Sequence, residues 1–88
     1  MGTAPGADPR IVAVRVTDET ITADLVDGRA ISVPLAWSWR LAEATPEQRA
    51  NWRLIGSGEG VRWPEVDEDI SVRGMLDGVP AANLKPRV

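Results

Sequence analysis

This sequence predicts an α+β domain: a three-stranded antiparallel meander packed against short helices, with a further short extended segment and a C-terminal helix. Three observations predict it. Apolar residues alternate at a spacing of two between positions 11 and 33, a helix-capping signature stands at Thr45-Pro46-Glu47-Gln48, and Val72, Met75, Leu76 and Val79 recur at helical spacing.

The meander comes first. In RIVAVRV, Val12, Val14 and Val16 share one strand face, and in TITADLV Ile21, Ala23 and Leu25 do the same. A two-residue turn at Asp18-Glu19 sets Val16 opposite Ile21, Val14 opposite Ala23 and Val12 opposite Leu25. At LVDGR, a two-residue Asp27-Gly28 loop would send Ile31 and Val33 to the polar face. A three-residue loop, Val26-Asp27-Gly28 with Gly28 left-handed, instead pairs Ala23 with Ile31 and Ile21 with Val33, so this is the expected connection.

Pro34 ends the third strand. The spacing of Leu35, Trp39 and Ala42, or of Trp37, Leu41 and Ala44, predicts a helix over residues 35–42. Thr45 offers an oxygen to an orphan amide, Pro46 sits where no amide is needed, and Gln48 reaches back to the cap, so a second helix starts at Pro46 and ends near Trp52. RLIGSGEG then reads as an extended piece followed by turns. Asp69 or Ser71 caps the last helix, in which Gly74 costs up to about 1 kcal/mol relative to alanine.

With 88 residues the chain makes one domain, expected over residues 10–79, between a loose Gly/Pro/Ala-rich arm at 1–9 and a tail at 80–88. The absence of cysteine and histidine removes disulfides, thiolate metal sites, the usual zinc ligands and histidine-based nucleophile systems. Thirteen acidic and ten basic residues are interspersed, giving a net charge of −3, which speaks against direct nucleic-acid binding. No apolar run reaches the roughly 18 residues of a membrane span, and MGTAPGADP lacks a signal-peptide pattern, so a cytoplasmic location is the expectation.

The stretch GSGEGVRWPEVDEDI, residues 56–70, concentrates the polar chemistry. Its glycines Gly56, Gly58 and Gly60 lack the third glycine of a dinucleotide loop, where Val61 stands, and no Gly-Lys-Ser/Thr follows. Glu59 inside the loop would repel a phosphate. The acids Glu65, Asp67, Glu68 and Asp69 suggest a divalent cation, yet a calcium loop starting at Asp67 meets Val72 and Gly78 where glycine and glutamate are required. Capping of the following helix and a solvated acidic face explain these acids better, so no metal, no cofactor and no catalysis are expected. The four tryptophans carry more weight. With no Phe or Tyr they supply the large core volume, but four indoles exceed what so small an interior holds, which leaves Trp39 beside Arg40 as a surface anchor. The candidate interface is therefore Trp37, Trp39, Arg40, Arg62, Trp63, Glu65, Asp67 and Asp69.

On DGRAISVPL at 27–35, ATPEQRANW at 44–52 and WPEVDEDISV at 63–72, the chain resembles the bacterial family catalogued as domain of unknown function 2442. The resemblance covers about residues 10–78. It implies a compact α+β fold, and domains that occur alone, beside a DNA-binding helical domain, or encoded next to another small domain in the manner of a toxin–antitoxin pair. Trp37, Arg40, Leu41, Pro46, Trp52, Trp63, Pro64, Asp67, Asp69 and Gly74 match the family motif. Members often carry Phe-Pro in place of Ser38-Trp39, Tyr in place of Glu59 and His in place of Arg62, so a role resting on an aromatic or a histidine at the last two positions does not transfer.

The function expected from the sequence is a non-catalytic protein-binding module, antitoxin-like or accessory to a small protein partner. One alternative is a small metal-dependent or nucleotide-binding enzyme using the acids at 65–69. The other is a homodimeric accessory domain whose tryptophans seal its own interface.

Overall fold

The computed structural model of the chain describes residues 8–78. Most of the expected arm at 1–9 and all of the tail at 80–88 lie outside the described residues, as does Val79. At the arm's end, Asp8 is tied down, its amide donating to Asp27 Oδ2 at 2.8 Å.

Strands β1 (Ile11–Val16), β2 (Thr20–Leu25) and β3 (Ala30–Pro34) form the antiparallel meander in the order β1-β2-β3. Val16 faces Ile21, Val14 faces Ala23, Ala23 faces Ile31 and Ile21 faces Val33, which is the register that keeps the large apolar groups on one side. The second turn is the three-residue loop. Gly28 has φ +94°, its amide donates to the Leu25 carbonyl at 3.0 Å, and the Leu25 amide donates to the Arg29 carbonyl at 2.8 Å. One expected pair fails. A β-bulge at Ile11–Val12 sets Ile11 opposite Leu25, so Ile11 is buried while Val12 stands 50% exposed.

The single helix expected over 35–42 is two pieces. A 3₁₀ turn at Leu35–Trp37 stops at Ser38, which has extended dihedrals and caps a new one-turn helix, α1 (Trp39–Ala42), by accepting the Leu41 amide at 3.2 Å. Helix α2 (Pro46–Ala50) begins with the full capping box: Thr45 Oγ1 accepts the Gln48 amide at 3.1 Å and Gln48 Oε1 accepts the Thr45 amide at 3.0 Å.

The larger departure lies beyond residue 52. The extended piece is β4 (Arg53–Ile55), and two further strands, β5 (Gly60–Trp63) and β6 (Glu68–Ser71), complete a second antiparallel sheet in the order β4-β5-β6. The acidic tract is therefore a β-turn region and a strand, not the start of a helix. Ser71, not Asp69, caps α3 (Val72–Asp77), accepting the Gly74 amide at 2.9 Å. Of the helical stripe, Val72 and Met75 are buried and Leu76 is exposed.

One core joins the two sheets. Ile11, Val14, Ile21, Ala23, Leu25 and Val33 from the meander meet Val61, Trp63 and Ile70 from the second sheet, with Leu35, Leu41, Val72 and Met75 closing the sides. The β4–β5 loop stitches the halves through Gly58 C=O, which accepts the Ile11 amide at 2.8 Å, and holds the start of α3 through Glu59 C=O, which accepts the Val72 amide at 2.9 Å. At Gly58, φ is +113° and a Cβ would stand 2.6 Å from the Ile11 carbonyl oxygen. Gly28 is equally left-handed but has nothing within 4 Å of that position.

Gly58→Ala is therefore expected to cost about 2–3 kcal/mol, against about 1 kcal/mol for Gly28→Ala, since only the first adds a collision to the dihedral strain. Urea unfolding with an unchanged slope checks this. Equal costs at the two positions would show that the loop does not press on β1.

Candidate functional site

Period-two geometry sorts the residues of the second sheet. Val61 and Trp63 on β5 share the inner face with Glu68 and Ile70 on β6, and Trp63 faces Glu68 directly. Arg53, Arg62 and Asp69 take the outer face, with Arg62 between the other two. The turn from Pro64 to Asp67 brings a fourth charge to this face, because Asp67 adopts φ 56°, a left-handed conformation that aspartate tolerates better than most residues.

The charges form one chain. Arg62 Nη2 meets Asp67 Oδ1 at 2.8 Å, Arg62 Nη1 meets Asp69 Oδ1 at 2.9 Å, and Arg40 Nη1 lies 3.3 Å from Asp67 Oδ2 and donates to the Asp67 carbonyl at 2.5 Å. The guanidinium of Arg40 stacks over the Trp39 ring with 5.3 Å between Cζ and the ring centroid. Hydrogen bonds from Arg62, and next from Arg40, hold the Asp67 carboxyl below its ordinary value of 3.8, and the same Asp67 and Asp69 contacts raise Arg62. Beside this chain a cleft of about 250 Å³ is lined by Trp39, Arg40, Glu43, Ala44, Gln48 and Val66. Trp39 Nε1 and Arg40 Nε are buried there without a hydrogen-bond partner.

Five of the eight expected interface residues thus converge: Trp39, Arg40, Arg62, Asp67 and Asp69. Trp63 does not belong with them. It is completely buried, and its Nε1 donates to the Arg49 carbonyl at 2.9 Å, because β-strand alternation turns it inward when Arg62 points out. Trp37 packs against the core from the 3₁₀ turn, and Glu65 accepts from Asn51 Nδ2 at 2.6 Å at the end of α2.

Two residues that the sequence reading passed over hold the site in place. Ser38 Oγ donates to Glu68 Oε2 at 2.5 Å, both side chains fully buried, and the Asp69 amide donates to Glu68 Oε1 at 3.0 Å. Arg49 is also buried; its Nε and Nη2 cap the Leu41 and Ala42 carbonyls at 2.9 and 3.2 Å, and its Nη1 reaches Asp18 Oδ1 at 2.8 Å. The alternation Val61, Trp63 against Glu68, Ile70 was the signal for a buried glutamate. It becomes visible only once the tract is read as strands.

The glycine loop is not a phosphate cradle. The amides of Ser57, Gly58 and Glu59 are engaged by Glu59 Oε1 and the Ile55 carbonyl. The four acids also part company: Glu65 turns to Asn51, Asp67 and Asp69 to arginine, Glu68 to the core. Among the described residues no group of three or more His, Cys, Asp or Glu side chains is placed to hold a metal ion, and no helix is long and apolar enough to cross a membrane.

What this defines is a small α+β domain of two packed three-stranded antiparallel sheets, carrying an arginine–carboxylate chain on its second sheet. The chain belongs to the family described as protein of unknown function, DUF2442, whose model matches residues 11–81. A crystal structure of a protein of unknown function from Rhodospirillum rubrum superposes with a TM-score of 0.70 at 24% identity, over 84% of this chain and 92% of that one. A solution structure of an uncharacterised protein from Chromobacterium violaceum gives 0.70 at 25% identity, over 83% and 69%. No curated protein matches.

Because the folded-state pKa of Asp67 is depressed, its ion pairs stabilise the fold fully above the unfolded value, near pH 4, and lose that contribution as pH falls through the lower folded value. The NMR titration midpoint of Asp67 is expected below 3.8, rising toward it in Arg62→Ala and by less in Arg40→Ala. A midpoint unmoved by Arg62→Ala would break the assignment.

Proposed function

We propose that the chain is a non-catalytic protein-binding module whose partner seats on α1 and the adjoining outer face of the second sheet. The observation that carries the reading is the half-buried Trp39, stacked by the Arg40 guanidinium and forming with it the wall of an open cleft of about 250 Å³. Tryptophan and arginine are also the residues most often found to dominate binding energy at interfaces. The arginine–carboxylate chain supplies orientation at the rim, where charge affects encounter more than affinity.

In its antitoxin-like form, the module covers the working face of a small basic protein. The net charge of −3 suits such a partner, and a neighbouring gene for a small protein is one of the settings the family resemblance implies.

The test is co-purification from the native bacterium at about 0.15 M ionic strength, followed by affinity measurement with the recovered protein. Trp39→Ala is expected to cost at least about 2 kcal/mol, roughly 30-fold in affinity, and Arg40→Ala a comparable amount. Arg29→Ala, in the second turn of the meander and off this surface, serves as the control. Recovery of no specific partner, or of one indifferent to Trp39 and Arg40, sinks the reading.

A further inference from the structure

The second surface of interest lies on the opposite side of the capping box, away from Trp39. A groove of about 520 Å³ runs between β1 and α2, lined by Val14, Val16, Asp18, Pro46, Arg49 and Trp52 among others. Its wall is the free edge of the meander, since β1 pairs with β2 alone. The direction of the backbone groups on that edge follows from the turn. Thr17 N–H donates to the Thr20 carbonyl at 2.9 Å, so Arg15–Thr22 and Ala13–Asp24 are the pairs that exchange ladder bonds, and the N–H and C=O of Val14 and Val16 point away from β2. The start of the edge is covered, because Ile11 N–H donates to Gly58 C=O. Among the described residues, Val14 and Val16 have no partner for these outward groups.

We propose that this edge accepts an extended segment of another protein, pairing antiparallel with Val14–Val16, in which an acidic residue stands between two apolar ones. Unpaired amides and carbonyls at a two-residue spacing recognise a strand. The incoming residues opposite Val14 and Val16 fall on the face of those valines, over Pro46 and Trp52, and are apolar. The residue between them falls beside Arg15, whose Nε and Nη2 are held by Asp24 while Nη1 is uncommitted, and is acidic. A second copy of this chain fits poorly. Symmetric pairing of Val14 with Val16 sets Arg15 against the Arg15 of the other copy, and a shift of register runs into the bulge at Val12 or the turn at Asp18.

The test pans a phage-displayed random heptapeptide library against the full chain and against Val16→Pro, which removes one outward N–H without touching a ladder bond. Peptides with the apolar–acidic–apolar pattern are expected to be enriched on the parent chain, with affinity at least tenfold lower for Val16→Pro. Arg15→Glu is expected to move the central preference to Lys or Arg. Should Val16→Pro not fold, N-methylation of a selected peptide at alternate residues replaces it, with binding lost for one alternation and kept for the other. No enrichment, a different pattern, binding indifferent to both changes, or a dimer that Val16→Pro dissolves would each overturn the proposal.

Discussion

Glu68 places a carboxyl group on the inner face of the second sheet, opposite Trp63 and wholly out of contact with solvent. Such a group costs several kcal/mol unless its oxygens are satisfied, and the partners that satisfy it come from both parts of the chain. Ser38 Oγ gives its proton to Oε2 while accepting the Leu41 amide, and the Asp69 amide serves Oε1. One residue thus ends the 3₁₀ turn with its amide, and with its hydroxyl starts α1 and fixes α1 against β6. Because the bond is directional, it sets a position where the apolar contacts around it would allow several. Arg49 does similar work at the other end of α1, holding the Leu41 and Ala42 carbonyls while its own carbonyl takes the Trp63 indole.

That arrangement explains which parts of the fold were readable beforehand. The meander was, because its strands of five and six residues carry large apolar groups at a spacing of two, and only one loop length keeps them on one face. The bulge at Val12 was not, since Ile11 and Val12 are equally apolar and the choice between them is made by the loop at Gly58, far along the chain. The second sheet escaped for a different reason. Its strands have three or four residues, include Gly60, and bear charges on their outer face, so that neither length nor composition announces them. Pairing with one another and burial against the meander is what makes them strands.

The same logic divides the candidate surface. Trp39 and Arg40 were identifiable because tryptophan exceeded the room in the core, which is an argument from volume and does not depend on the second sheet. Arg62, Asp67 and Asp69 were identifiable as residues but not as a chain of ion pairs, because the left-handed turn at Asp67 is what folds a linear acidic tract back over its arginine. Trp63 and Glu68 face inward only by the strand period, which a linear reading of the tract does not contain. Errors of facing of this kind all follow from one missing element.

Helix α1 has only four residues and no stability of its own. Its place is set by Ser38 and Glu68 at one end and by Arg49 at the other, and from that place Arg40 reaches both the side chain and the backbone of Asp67. The half-buried pair Trp39–Arg40 and the buried Ser38 that holds Glu68 therefore share one turn of backbone. A protein seated on the first pair bears on the cap that fixes α1 against β6, so occupancy of this surface would be coupled to the stability of the domain by mass action rather than by any separate switch. In an 88-residue chain, where a small core leaves little stability to spare, that coupling would make the proposed binding surface a part of the fold.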